Sequence, residues 1–191
     1  MTQERDLEET VASFPRRRIS RVRYCGFQVD PTDWDFGTWH QPVMGVEIEF
    51  EGGGPTYSVL WGNTYGHFNI EVVAERMKAA LRLPSEPYDE LDDGRARVWD
   101  VTSHARWASL ILEPLVHAKV IWQRDVTDVA GLAPVAVGLW FLDGPVWIAA
   151  AAPSDWPPEE RYGLGADEIM VIFSPTFAKK MGLVGSEFFG A

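Results

Sequence analysis

Val46-Glu47-Ile48-Glu49-Phe50, then Glu51-Gly52-Gly53-Gly54-Pro55, then Thr56 to Trp61, is the stretch on which the fold class turns. Apolar and acidic residues alternate in its first part, a period that builds one apolar face on a strand but not on a helix. The pattern predicts Val46, Ile48 and Phe50 in the core, with Glu47 and Glu49 in solvent, because a slip of one residue would reverse both faces. The glycine run and Pro55 supply a turn, and Thr56 to Trp61 returns as a second strand. A related pattern comes later: Val137, Leu139 and Phe141 alternate, Gly144-Pro145 follows, and Val146 to Ala151 continues as a strand. This echo raises the expectation of a duplicated ββα unit, against two hairpins that reached one pattern independently.

Other elements are read outward from these hairpins. Residues 1–15 read as a loose N-terminal segment or a short helix. Ile19 to Val29 is extended, and Asp30 to Pro42, with Pro31, Gly37, Trp34, Phe36 and Trp39, is an aromatic loop. Asn69 is placed as the cap of a helix whose apolar face carries Ile70, Val73, Met77, Ala80 and Leu81. Pro84 to Gly94 is an acidic linker between two halves. A short strand surrounds Val98. Thr102 or Ser103 then caps a helix bearing Trp107, Leu110 and Ile111, and Leu115 to Gln123 is a strand. Val135–Leu142 and Val146–Ala151 are apolar on both faces and belong centrally in a sheet, joined at Asp143-Gly144. Pro153 to Gly165 reads as a loop and Ile169 to Phe173 as a strand. The final helix has full punctuation: Ser174 as cap, Pro175 at its first position, Lys179 and Lys180 in the last turn, Gly182 beyond it. The expected fold is α+β: a mostly antiparallel or mixed sheet of roughly six to eight strands, with two or three helices packed on it. Residues 16–191 are expected to form one domain.

The chain has 28 acidic and 17 basic residues, a net charge of −11, and a pI near 4.8. Such a field repels nucleic-acid phosphates and attracts basic partners. Arg16, Arg17, Arg18, Arg21 and Arg23 are read as neutralising the protein's own acids rather than as an RNA patch. The one cysteine, Cys25, excludes an internal disulfide and reads as a small buried hydrophobe. Met1 to Glu9 is polar and no window has the apolar length of a membrane span, so a cytoplasmic location without membrane association is expected.

Strong catalytic signatures are missing: no phosphate-binding G-x-x-x-x-G-K-[ST], no H-E-x-x-H and no G-x-S-x-G occurs. Asp89-Glu90-Leu91-Asp92-Asp93-Gly94 resembles a calcium loop in its glycine, but Leu91 stands where a carboxylate must coordinate. His40, His67, His104 and His117 share no helical i, i+4 spacing, and no cysteine set completes a zinc site, so no metal and no cofactor are expected. His104 has Asp100 four residues before it as a candidate acid–base partner.

Three function classes follow. A non-catalytic, immunity- or antitoxin-like module would occlude a basic protein partner through Asp33, Trp34 and Asp35, steered by Asp89, Glu90, Asp92 and Asp93. A small-molecule enzyme or binder would use the 62–67 loop, with Asn63, Tyr65 and His67 before a helix N-terminus. A structural subunit would cover its aromatic surface with further copies of itself. The first is the reading adopted.

Overall fold

The computed structural model describes residues 2–27, 34–64, 68–83, 96–124, 131–154 and 162–183. In chain order these form α1 (Thr2–Ala12), β1 (Ile19–Gly26), β2 (Trp39–Val43), β3 (Gly45–Phe50), β4 (Tyr57–Gly62), β5 (Asn69–Val73), α2 (Met77–Ala80), β6 (Arg97–Asp100), α3 (Ala105–Ala108), β7 (His117–Arg124), β8 (Leu132–Phe141), β9 (Gly144–Pro153), β10 (Tyr162–Ile172) and α4 (Pro175–Lys180). All strand pairs are antiparallel, in two five-stranded sheets ordered β5-β4-β3-β1-β6 and β2-β10-β9-β8-β7. The fold is thus mainly β within the α+β class, with more strands than expected and two sheets where one was foreseen.

The sheets pack face to face, because each presents an apolar inner face that only the other can cover. Val22, Tyr24, Val46, Ile48, Phe50, Val59 and Ile70 from the first sheet share one core with Val120, Val137, Leu139, Phe141, Ile148, Ile169 and Val171 from the second. Both alternating triplets of the sequence therefore point into this core. The second sheet contains the four-strand meander β7-β8-β9-β10, and the first contains the three-strand meander β3-β4-β5 with β1 beside it. A third strand, β5 or β10, follows each hairpin before the helix, so the repeated pattern is longer than ββα.

Short helices cover what remains apolar. Near the N-terminus, α1 takes the short-helix form and packs on β7, and Leu7, Val11 and Phe14 enter the core, with the Phe14 ring tilted against Phe50 and edge-on to Tyr57 at 5.1 and 4.8 Å. The outer face of the second sheet, including Trp147 and Met170, is covered by Ala178 and Leu183 of the α4 region. On the outer face of the first sheet, Cys25 and Leu60 pack with Met77 of α2, so Cys25 is the buried hydrophobe expected.

That covering corrects the solvent assignment of Glu47. Val46, Ile48 and Phe50 are buried, but Glu47 is only 4% exposed and Glu49 is half-buried. Both carboxylates face Arg23 of the neighbouring β1, Glu47 Oε1 against Nη1 and Glu49 Oε1 at 2.9 Å from Nη2. Glu47 Oε2 also accepts the Met77 N–H at 2.7 Å, which fixes the start of α2. Three of the five arginines meet the protein's own acids: besides Arg23, Arg21 pairs with Asp100 at 2.7 Å and Arg18 lies 4.0 Å from Glu51.

Two helix assignments are also corrected. Asn69 to Val73 is strand β5, paired with β4, because β-branched Ile70, Val72 and Val73 suit a pleated surface and complete the meander. Only Met77 to Ala80 turns into helix. After β6, Thr102 does not cap α3; its hydroxyl bonds the Val22 backbone, and His104 is the cap. Trp107 and Leu110 are nevertheless buried. Among the described residues no helix is long and apolar enough to cross a membrane.

Candidate functional site

Trp34 to Gln41, expected as irregular loop, forms a tight hairpin that leads into β2. Phe36 N–H donates to the Trp39 carbonyl and Gln41 N–H to the Trp34 carbonyl, at 3.0 and 2.8 Å. Gly37 takes the turn's positive φ of 78°, where a side chain would be strained, and Asp35 Oδ1 accepts the Gly37 N–H at 2.8 Å. Asp35 and His40 are bridge partners across this hairpin, so their side chains project together. His40 Nε2 ends 3.3 Å from Asp35 Oδ1.

A third polar group arrives from 64 residues beyond His40. β6 is laid beside β1, Thr102 is tied to Val22, and the chain turns so that His104 Nε2 comes within 3.1 Å of Asp35 Oδ2. Arg106 Nε, from α3, donates to the Gly37 carbonyl at 2.7 Å and clamps the hairpin to that helix. Beneath these groups Trp107 Nε1–H donates to Tyr24 Oη at 2.7 Å, and Tyr24 Oη lies 2.8 Å from His40 Nδ1. Trp34, Phe173 and Tyr24 wall the cluster with edge-on rings, 4.8, 4.7 and 5.7 Å from the His40 ring.

Burial sets the protonation. His40 is inaccessible to solvent, and desolvation pushes its imidazole down to about 3, helped by His104 and Arg106 against the pull of Asp35. Burial alone would raise the Asp35 carboxyl. The Gly37 N–H and the two histidines together hold it below its ordinary value. The Tyr24 hydroxyl is pushed well above its ordinary value by burial and stays protonated. At neutral pH the cluster therefore sets the Asp35 carboxylate against the neutral, buried His40 imidazole, with the half-buried His104 ring beside it.

Of the residues expected to bind a partner, Trp34 and Asp35 are here, but in different roles. Trp34 is 8% exposed and packed between Tyr24 and the histidines, so it is a wall of the cluster and not an exposed docking residue. Asp35 is partly exposed and oriented by the hairpin. His104 pairs with Asp35 rather than with Asp100, which is taken by Arg21. Asp33, Asp89, Glu90, Asp92, Asp93, Tyr65 and His67 lie outside the described residues. Asn63 is exposed, and because β5 follows where a helix was expected, the anion-binding rationale of the 62–67 loop falls away.

Sequence spacing alone does not mark His40 as a functional residue. A turn glycine between Asp35 and His40 was the signal that could have paired them. Comparison with protein-family models, with curated proteins and with solved structures finds no match for this chain, so the site rests on its own geometry.

Proposed function

We propose that this chain is a non-catalytic acidic binding module that occludes a basic protein partner, in the manner of an immunity or antitoxin protein. The observation that carries the reading is where the charge sits. The described ranges contain 15 of the 28 acidic residues and 15 of the 17 basic ones, so the sandwich itself is close to neutral. Twelve of the other acidic residues, with the two remaining basic ones, fall in the connections 28–33, 84–95, 125–130 and 155–161.

Each of those connections is flanked by a strand end at one end of the molecule. In the first sheet Gly26 pairs with Arg97 and Gly45 with Leu60. In the second, Arg124 pairs with Leu132 and Tyr162 with Pro153. The Phe68 carbonyl, 3.5 Å from where a side chain on Gly165 would begin, joins the two ends. Phe27, Phe68 and Leu132 are exposed apolar residues on these same strand ends. Negative charge in connections whose flanks carry exposed apolar residues suits fast, steered capture of a basic surface. In this reading Asp33, Asp89, Glu90, Asp92 and Asp93 steer and Asp35 contributes from the hairpin, while Trp34 supports it from beneath. The similar strand order of the two meanders also favours the duplicated origin, as part of the same proposal.

The test starts from a partner captured in the native cell, whose binding is then followed by surface plasmon resonance at two salt concentrations. Reversing Asp89, Asp92 and Asp93 to Lys should slow association on the order of tenfold at low salt, with dissociation little changed. Association indifferent to both salt and charge reversal would remove the proposal.

A further inference from the structure

We infer that Asp35, His40 and His104 form a binding site for one divalent transition-metal ion of zinc's class. This stands apart from the docking proposal and departs from the expectation of no metal. That expectation rested on local spacing, whereas these donors meet through a hairpin pairing and a long-range contact.

Three observations converge. The donor set is two imidazoles and one carboxylate, which suits zinc and its first-row neighbours rather than calcium or magnesium. One ligand atom from each residue lies within 4.8 Å of the others. With bonds of about 2.1 Å, two ligand atoms on a tetrahedral zinc stand about 3.4 Å apart. Asp35 Oδ1 stands 3.3 Å from His40 Nε2 and Asp35 Oδ2 3.1 Å from His104 Nε2, so each imidazole nitrogen is near that spacing from one oxygen of the carboxylate. Finally, His40 Nε2 is fully buried, points at the carboxylate, and lacks the alignment of a hydrogen bond. A buried imidazole nitrogen left without a partner is costly unless something takes its lone pair.

The surrounding residues fit the same role. A metal-bound histidine usually donates its other ring N–H to an oxygen, which sets its tautomer. Tyr24 Oη, 2.8 Å from His40 Nδ1 and held by the Trp107 N–H, is placed to accept it. His104 must carry its proton on Nδ1 when Nε2 binds metal, which releases only the long 3.4 Å contact from the Arg106 N–H. Asp35 and His104 are 35% and 25% exposed, so an ion enters from their side and keeps a fourth position for water there.

Untagged protein stripped with a chelator and titrated with Co(II) should show the absorption of a low-symmetry cobalt site, saturating at one ion per chain. Zn(II) should displace it. His104→Ala and Asp35→Asn, each checked for fold by circular dichroism, should weaken Co(II) binding on the order of 100-fold. Tyr24→Phe should weaken it about tenfold through the lost acceptor. His117→Ala, an exposed histidine on β7, should leave it unchanged. Absence of the cobalt spectrum, or full binding by folded His104→Ala and Asp35→Asn, would overturn the assignment.

Discussion

Glu47 shows how a single residue can obey its strand pattern and still not be where that pattern implies. Alternation tells which face a side chain takes, and Glu47 does take the face opposite Val46 and Ile48. It cannot tell what covers that face, and here α2 and Arg23 do. Replacing Glu47 with Gln leaves the half-buried Arg23 guanidinium short of one counter-charge, since Glu49 remains. A loss of about 3 kcal/mol is expected from urea unfolding. A midpoint equal to that of a surface Glu→Gln control would show that the pair is not buried in solution. His40 has the opposite dependence on solvent: its folded form is neutral, while the unfolded chain takes up a proton near pH 6.5. Its contribution is therefore complete above pH 6.5 and is lost as pH falls toward about 3. In metal-free protein roughly 2 kcal/mol should disappear between pH 7 and pH 5. His40→Gln, less stable overall, should show a correspondingly flatter profile over that range.

At the scale of elements, legibility follows how local the deciding forces are. The final helix is set entirely by neighbours in sequence. Ser174 Oγ accepts the Phe177 N–H at 3.2 Å and Pro175 opens the first turn. Gly182, at φ 77°, closes the last turn as Leu183 N–H reaches the Ala178 carbonyl and Gly182 N–H the Lys179 carbonyl. Ser174→Ala should accordingly lower stability by about 1 kcal/mol, read from the denaturant midpoint. An unchanged midpoint would mean that the cap is not formed. Residues 69–82 show the reverse. Ile70, Val73, Met77, Ala80 and Leu81 do recur at helical spacing, yet β4 offers Ile70 to Val73 a full ladder of backbone bonds, and a helix there would leave that edge bare. The cluster at Asp35 was half legible. Its hairpin is local and marked by Gly37, but nothing near His104 in sequence announces that it will meet Asp35.

For the whole molecule, the decisive feature is that the chain crosses between sheets. β1 belongs to the first sheet, β2 leaves it to pair with β10 on the edge of the second, and β3 returns beside β1. This crossing brings Gly26 so close to β2 that a side chain would start 2.3 Å from the Pro42 carbonyl. The Pro42 backbone and the Trp99 ring, 3.3 Å away, leave little room to give, so Gly26→Ala should destabilise by about 1–3 kcal/mol, whereas Gly131→Ala, in open space, should not. Thermal melts of the two variants compare them directly, and equal melting temperatures would argue against the close crossing.

The same crossing separates β2 from its partner in time. On a ribosome, Trp39–Val43 emerges while Tyr162–Ile172 is still roughly 130 residues from being made, on the order of ten seconds of synthesis. Throughout that wait the side of β2 that β10 will pair is open to any other strand nearby. Pro42 stands within that edge and has no N–H to offer a passing strand. A residue that contributes one donor fewer to the finished sheet thus guards the unfinished one.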